Sequence, residues 1–117
     1  MKQGKIVIAG QQGRHIYLPA MQTTTATERM KGLLALPPLT GDEAFWISPC
    51  NSVHTFGMAY ELDLIFVNKK NIICGLVPQV KKWRMRFCLR AHSTIELRSG
   101  VIARNAIKIG DECLWQS

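Results

Sequence analysis

Short apolar segments separated by polar or turn-forming residues run through the sequence, and they limit what the chain can fold into. The segments are four to six residues long: "KIVIA", "RHIYLP", "FWIS", "LDLIFV", "IICGLV" and "HSTIEL". Runs of this length are typical of β-strands. The polar turn "NKKN" joins two of them and predicts a hairpin. The sequence therefore predicts a β-rich chain.

One segment carries a clear helix start. Thr25 and Glu28 form the pattern T-x-x-E, a capping box in which each side chain satisfies a backbone N–H of the first turn. The apolar residues that follow at helical spacing, and the prolines that prevent further extension, are Met30, Leu33, Leu34, Pro37 and Pro38. We therefore predict a helix that starts near Thr25.

Many short strands and one capped helix predict an α+β fold that is mainly β. We expect a single small barrel-like domain spanning residues 1–117, with one clear helix in the N-terminal half and a short second helical piece. The last strand is predicted to begin near Ile107. The helix near Thr25 should cover one open end or face of a strongly bent sheet.

The composition is that of an ordinary globular protein, with 47% hydrophobic and 20% charged residues. No apolar run has the length of a transmembrane helix, and the N-terminal residues lack a secretory signal pattern. We therefore expect a cytoplasmic protein that does not contact membranes. The four cysteines, which contain no C-x-x-C pair, are expected to be free thiols: Cys50, Cys74, Cys88 and Cys113.

Positive charge is concentrated in the stretch "KKWRMR", Lys81 to Arg86, within a chain of formal net charge +7. Bases can stack on Trp83 while cations such as Arg84 hold phosphates, which favours a nucleic-acid or polyanion surface. The alternative is that Trp83, Met85 and Phe87 alternate with the cations and point into the core. We favour the core interpretation, because no known nucleic-acid-binding motif accompanies the stretch.

The stretch "PCNSVHTFGM" places Cys50, His54 and Thr55 between two apolar strands. The spacing C-x₃-H recurs at Cys88 and His92. Two Cys and two His can bind zinc, but residues four apart on an extended strand are separated by about 13 Å, so each pair would need a turn. Zinc at these four residues is the less favoured hypothesis, and we expect no metal or cofactor.

Two other interpretations of these residues remain. His54 and Thr55 can satisfy backbone groups at an irregular strand entry while Cys50 and Cys88 pack as small hydrophobic residues, which we favour. A histidine can instead activate a neighbouring thiol. In either case we expect "PCNSVHTFGM" to be a partly exposed loop-to-strand entry beside "CLRAH", and the best candidate binding surface.

Two acidic residues in apolar strands need partners if they are buried. Asp63 shares a strand face with Ile65 and Val67, and it can accept from backbone N–H groups or pair with Arg29. Glu96 has the same ambiguity, and an Asp63–Glu96 pair is conceivable. Arg29 can anchor the helix to one of these carboxylates or present its fork to an anionic ligand. We favour structural roles for all three, and Asp63 is also a candidate residue of the binding surface.

Four motifs occur in the order seen in the Domain of Unknown Function 192 family: Glu28-Arg29-x-x-Gly32-Leu33, Met58 followed by Leu62-Asp63, Glu96-Leu97-x-x-Gly100, and Gly110-Asp111. The chain resembles this bacterial family over about residues 17–114. The resemblance implies a compact, β-rich, barrel-like domain, and it implies no activity. Our own candidates for structural anchors are Thr25, Glu28, Arg29, Glu96, Gly100, Gly110 and Asp111. The chain departs from the family pattern at Ala35-Leu36, Asn68 to Asn71 and Arg98-Ser99.

The patterns of common catalytic sites, such as G-x-S-x-G, H-E-x-x-H and phosphate-binding glycine loops, do not occur. We therefore favour a non-catalytic module that binds a small ligand or a protein. One alternative is nucleic-acid or polyanion binding through Lys81 to Arg86. Another is a hydrolase or metalloprotein centred on the Cys and His residues.

Overall fold

The computed structural model describes residues 1–117, apart from the side chain of residue 35. Strands account for 45% of the chain and helices for 14%. The described elements are β1 (Lys2–Ala9), β2 (His15–Gln22), α1 (Ala26–Lys31), β3 (Ala44–Ile47), β4 (Ser52–His54), β5 (Leu62–Val67), β6 (Ile73–Val80), β7 (Met85–Phe87), β8 (Ser93–Arg98), α2 (Val101–Arg104) and β9 (Glu112–Gln116). Short 3₁₀ helices cover Gln11–Gly13 and Gly32–Ala35.

Seven strands form one sheet in the order β6-β5-β8-β3-β2-β1-β9. Only the β2–β3 pair in this sheet is parallel among the described residues. The sheet curls into a half-barrel, and its two ends meet where Cys113 N–H donates to the Asn71 carbonyl at 2.7 Å. The predicted mainly β, barrel-like fold is confirmed. Strands β4 and β7 form a separate antiparallel pair.

Alternating side chains give the sheet two apolar faces. The first core packs α2 and neighbouring residues against one face and includes Ile6, Ile8, Trp46, Ile65, Ile95, Leu97, Val101 and Ile102. The second core lies on the other face and includes Leu33, Leu39, Phe45, Ile47, Val53, Met58, Leu62, Leu64 and Phe66. The candidate site lies at the margin of the second core.

The capping box predicted for the first helix is present. Thr25 Oγ1 accepts from Glu28 N–H at 3.1 Å, and Glu28 Oε1 accepts from Thr25 N–H at 3.2 Å. However, α1 ends after six residues, because Gly32 adopts a φ of 55° and a 3₁₀ helix follows. The chain changes direction at Gly32, and beyond it Leu33 is buried while Leu34, like Met30 before it, is exposed. The expected continuous apolar helix face is therefore incomplete.

The predicted hairpin forms between β5 and β6, where the Asn68 side chain accepts from Lys70 N–H and Ile72 N–H. The predicted start of the last strand near Ile107 is wrong, because β9 begins at Glu112. Ile107 is instead buried in the first core.

Among the described residues, no helix has the length and apolar character needed to cross a membrane.

Candidate nucleic-acid interface and adjoining cavity

The two-stranded sheet formed by β4 and β7, here called the small sheet, exposes one of its faces to solvent. Strands β4 and β7 pair Ser52 with Phe87 and His54 with Met85. These four residues are exposed, whereas Val53 between them packs into the second core. The small sheet therefore covers the second core with its inner face and displays apolar and aromatic groups on its outer face.

The expectation that Trp83, Met85 and Phe87 point into the core is wrong. Their exposed fractions are 66%, 60% and 66%. The alternation of β7 exists, but the half-buried residue between the two exposed ones is the cation Arg86. Because β7 pairs with β4 outside the main sheet, its apolar side faces solvent.

Aromatic rings stack along this outer surface. The His54 and Phe56 ring centroids are 5.2 Å apart with planes inclined by 32°, and the Phe56 and Trp83 centroids are 5.7 Å apart with planes inclined by 29°. We call the surface formed by His54, Phe56, Trp83, Met85 and Phe87 the ridge. An exposed apolar surface of this kind marks an interaction site more often than a tolerated defect.

Buried Thr55 fixes the turn that carries Trp83. Its hydroxyl donates to the Lys81 carbonyl at 2.7 Å and accepts from Arg84 N–H at 2.8 Å. Its backbone N–H donates to the Arg84 carbonyl at 2.8 Å. Trp83 itself has a φ of 61°, a conformation that is strained for a bulky residue and persists only when its surroundings hold it. Thr55 supplies that restraint, as expected for a residue at an irregular strand entry.

The net charge lies almost entirely in one block of the sequence, which contains β7 and the turn before it. Residues 64–95 contain seven Lys and Arg residues and no acid, while the rest of the chain contains eight cations and eight acids. Among the described residues, the ion pairs join only the Met1 amine to Glu28 and Arg104 to Asp42. The Arg84 and Arg86 side chains donate only to carbonyls of neighbouring residues. The cations at the ridge are thus not neutralised, and the acid-free block was a readable sequence signal that the initial interpretation missed.

The stretches "PCNSVHTFGM" and "CLRAH" are neighbours in space. Cys50 N–H donates to the His92 carbonyl, and Cys88 N–H donates to the Asn51 carbonyl, both at 2.9 Å. The Cys50 thiol donates to the Ser52 carbonyl at 3.1 Å. The Cys88 sulfur lies 3.8 Å from that of Cys74, a neighbour that sequence spacing did not indicate.

The side chains of these stretches do not form a metal-binding group. Within the described part of the chain, no three His, Cys, Asp or Glu side chains converge on a point where an ion could bind. Cys50, His54, Cys88 and His92 therefore do not assemble the four-ligand arrangement of the zinc hypothesis. His54 instead stacks on Phe56 at one end of the ridge.

A cavity of about 130 Å³ opens beside His54. It lies between the helical segment 29–34, β3 and β4, and Glu96 of β8 lines it. Glu96 is only 4% exposed, and among the described residues its carboxyl group has no hydrogen-bond partner. Burial raises the pKa of Glu96 to about 8. Arg29 and Lys31 also line the cavity, but neither forms an ion pair with Glu96.

The sequence matches the Domain of Unknown Function 192 family, described as "Uncharacterized ACR", over residues 7–115. The chain belongs to this family. Two solved structures share the fold of this family member. A protein of unknown function from Novosphingobium aromaticivorans DSM 12444 is 20% identical, with a TM-score of 0.85 and coverage of 97% of this chain and 85% of the other. A putative transcription regulator from Sinorhizobium meliloti 1021 is 14% identical, with a TM-score of 0.86 and coverage of 97% and 93%.

No curated protein matches the chain. The likeness to the two solved structures establishes the fold of this Domain of Unknown Function 192 member and assigns no activity.

Several residues that carry the family resemblance hold the fold together. The Asp63 carboxylate accepts from the backbone N–H groups of Gln79 at 2.8 Å, Gly100 at 3.1 Å and Ile102 at 2.9 Å. Gly100 adopts a φ of 101°, which favours glycine, at the start of α2. Asp63 thereby joins β6 and α2 to its own strand. Because it is fully buried, it is not part of a binding surface, contrary to the sequence-based expectation.

The other acidic and glycine residues of these motifs have different surroundings. Asp63 pairs with neither Arg29 nor Glu96, because β5 and β8 place Asp63 opposite Leu97 and Glu96 opposite Leu64, on different faces of the sheet. Gly110 has a φ of 96°. The Asp111 carboxylate accepts from Lys108 N–H at 3.0 Å and closes the turn before β9.

Proposed function

We propose that the protein binds single-stranded nucleic acid through the ridge. The observation that carries this proposal is the stacked pair Phe56 and Trp83, exposed within a field of cations that no acid neutralises. Exposed rings provide platforms for bases, and each stacked base contributes about 1–3 kcal/mol. Lysine and arginine side chains beside the rings attract the phosphates.

The chemistry of the outer face favours single strands over a duplex. A two-stranded ribbon can enter the major groove, but it reads a duplex by hydrogen bonds to base edges. On the outer face of β4 and β7, Ser52 and His54 can form hydrogen bonds, whereas Met85 and Phe87 present apolar surface. Ring faces are accessible to bases only where the strand is unpaired.

One of the two structural relatives bears a description that agrees with a nucleic-acid role. The Sinorhizobium meliloti protein is described as a putative transcription regulator. The two proteins are 14% identical, so they share a fold, and the regulatory role is stated of the Sinorhizobium meliloti protein.

The test is binding of fluorescently labelled oligo-dT at increasing salt concentration. We expect detectable binding at low salt and a steep loss as salt rises, with a slope of about 0.7 per neutralised phosphate. Phe56→Ala and Trp83→Ala should each weaken binding about 5- to 150-fold, which corresponds to the loss of one stacked base. Lys82→Gln should reduce the salt slope. Tyr17→Ala, which removes an exposed ring on β2, is the matched control and should change nothing.

Two results would contradict the proposal. One is the absence of binding at low ionic strength. The other is a blue shift of tryptophan fluorescence on vesicles containing anionic lipid that disappears in Trp83→Ala, without any response to oligonucleotide, which would assign the ridge to a lipid surface.

A further inference from the structure

The cavity beside the ridge contains a carboxyl group that the fold does not use. Glu96 lies on β8 between Phe45 of β3 and Leu64 of β5, its partners in register. Both neighbours are apolar members of the second core. A buried carboxyl group with no hydrogen-bond partner costs free energy. Glu96 therefore suits a role in binding better than a role in stability.

The fold itself gives Glu96 no structural task. Asp63, on the opposite face of the sheet, accepts the backbone amides that join β6 and α2. Glu28 serves the capping box of α1. Glu96 instead lines the wall of an open cavity whose other walls include Leu33, Val53 and Met58.

The size of the cavity limits its ligand. Its volume is about 130 Å³, close to that of an engineered apolar cavity of about 150 Å³ that binds benzene. The space therefore matches one six-membered ring more closely than two fused rings. Apolar walls favour a flat ring, and the carboxyl group requires an edge that hydrogen-bonds.

The protonation state of Glu96 sets the pattern of that edge. Because burial raises its pKa to about 8, the carboxyl group is mostly neutral near pH 7. A neutral carboxyl group offers one O–H donor and one carbonyl acceptor side by side. Cytosine and uracil each present an adjacent donor and acceptor on their Watson–Crick edge, so either base can form two hydrogen bonds with it.

We propose that this cavity binds the pyrimidine ring of an unstacked nucleotide, whose Watson–Crick edge hydrogen-bonds to the Glu96 carboxyl group. The cavity and the ridge share His54. Its side chain lines the cavity, and its ring lies against the Phe56 ring in the ridge. A base leaving the ridge would therefore reach the cavity directly. That the ring belongs to a bound strand rests on the proposed function, whereas the ability of the cavity to bind a free pyrimidine nucleoside does not.

Other ionisable groups face the same space and have to be separated from Glu96 in any pH experiment. Arg29 and Lys31 line the cavity from the helical segment, and Cys50 and His54 line it from β4 and the loop before it. The register partners of Glu96 on β3 and β5 are Phe45 and Leu64, which do not titrate.

The experiment compares the wild-type protein with Glu96→Gln and Glu96→Leu by two-dimensional NMR titration with cytidine, uridine and adenosine. Glutamine preserves the shape and the adjacent donor and acceptor but cannot ionise, whereas leucine preserves bulk without hydrogen bonds. For the wild type at about pH 6.5 we expect both pyrimidine nucleosides to shift resonances around the cavity and to bind at least about tenfold more tightly than adenosine.

Ionisation gives the diagnostic signature. Raising the pH to about 9.5 should weaken cytidine binding to the wild type about tenfold or more, because the carboxylate can only accept hydrogen bonds. Cytidine is the probe for this comparison, because uridine loses its own N3 proton in this pH range. Glu96→Gln should bind cytidine at both pH values, so any pH dependence that remains in this variant belongs to the other groups. Glu96→Leu should lose the pyrimidine preference while retaining a folded spectrum.

The outcomes separate this inference from the proposed function. Equal pyrimidine affinity in wild type and Glu96→Leu, or no nucleoside binding at the cavity, overturns the inference even if Trp83-dependent binding of oligo-dT persists. Pyrimidine binding that depends on Glu96 supports the cavity site even if oligonucleotides do not bind the ridge.

Discussion

Two acids on neighbouring strands have opposite environments. Asp63 and Glu96 lie on β5 and β8, one residue apart in register, and so they face opposite sides of the sheet. Asp63 accepts three backbone amides, whereas Glu96 meets apolar side chains and a cavity. Strand alternation and the rule that buried acids need partners were enough to anticipate the environment of Asp63. The environment of Glu96 was not predictable, because it depends on the space that the distant segment 29–34 leaves open.

The buried carboxyl group should make stability depend on pH. The pKa of Glu96 rises from 4.5 to about 8 on folding, so the unfolded chain releases its proton first as pH rises. The free energy of unfolding should therefore fall between about pH 4.5 and pH 8, by up to a few kcal/mol at about 1.4 kcal/mol per unit. Urea unfolding at about pH 5 and pH 8 measures this change. Glu96→Gln should flatten the profile over this range, and an unchanged slope in that variant would rule out Glu96 as its source.

Because three backbone amides donate to Asp63, a conservative substitution there should greatly lower the free energy of unfolding. Asp63→Asn keeps the shape but replaces one accepting oxygen with an NH₂ group that opposes the backbone donors. We expect a loss of about 2–4 kcal/mol in the free energy of unfolding. Glu61→Gln, on an exposed residue two positions earlier, is the matched control and should stay within about 0.5 kcal/mol. Equal effects of the two substitutions would contradict a structural role for Asp63.

At the scale of elements, the sequence of β7 predicted that the segment is a strand but not which of its faces is buried. The alternation of "KKWRMRF" indicated an extended strand, and Met85–Phe87 is one. The side that faces the core was assigned wrongly, because alternation gives two faces and does not say which is inside. That choice follows from pairing with β4, where Val53 already occupies the inner face. The local sequence of either strand does not predict a pairing between segments so far apart in the chain.

The turn before β7 should depend on a single hydroxyl group. Thr55→Val keeps the size of the side chain but removes its hydrogen bonds to the Lys81 carbonyl and to Arg84 N–H. We expect a loss of about 1–3 kcal/mol in stability, because two backbone groups lose a partner. Trp83 should also become more mobile, which is measured by NMR relaxation of its indole N–H group. Thr27→Val, at an exposed position in α1, is the control. If Trp83 remains equally rigid in Thr55→Val, the turn is held by other contacts.

At the scale of the whole molecule, most strands and the β5–β6 hairpin were predictable from local apolar runs, and the family resemblance indicated the barrel-like form. The order of the strands was not predictable. The parallel β2–β3 pair and the pairing of β1 with β9 join segments far apart in the chain. Curling of the sheet adds a further long-range contact, between its two ends, at Ile72 and Glu112.

Closure of the sheet should be visible in amide hydrogen exchange. The N–H groups of Ile73 and Cys113 donate across the junction between the two ends of the sheet, at 2.8 and 2.7 Å. Both residues are buried in the first core, so their exchange should require near-global unfolding. Cys88 N–H, which tethers the small sheet to Asn51, should exchange faster through local opening. Similar rates at all three amides would contradict the separate opening of the small sheet.

The pairing of β1 with β9 also has a consequence for how the protein reaches its native state. Lys5 is opposite Gln116 in that pair, so the strand is completed by a contact between nearly opposite ends of the sequence. Loop-closure entropy opposes such contacts until much of the intervening chain is ordered. The β5–β6 hairpin can therefore form early, whereas β9 docks late in folding. A chain interrupted before β9 is synthesised would leave one side of β1 without its partner, and its unpaired backbone groups would favour association with other copies.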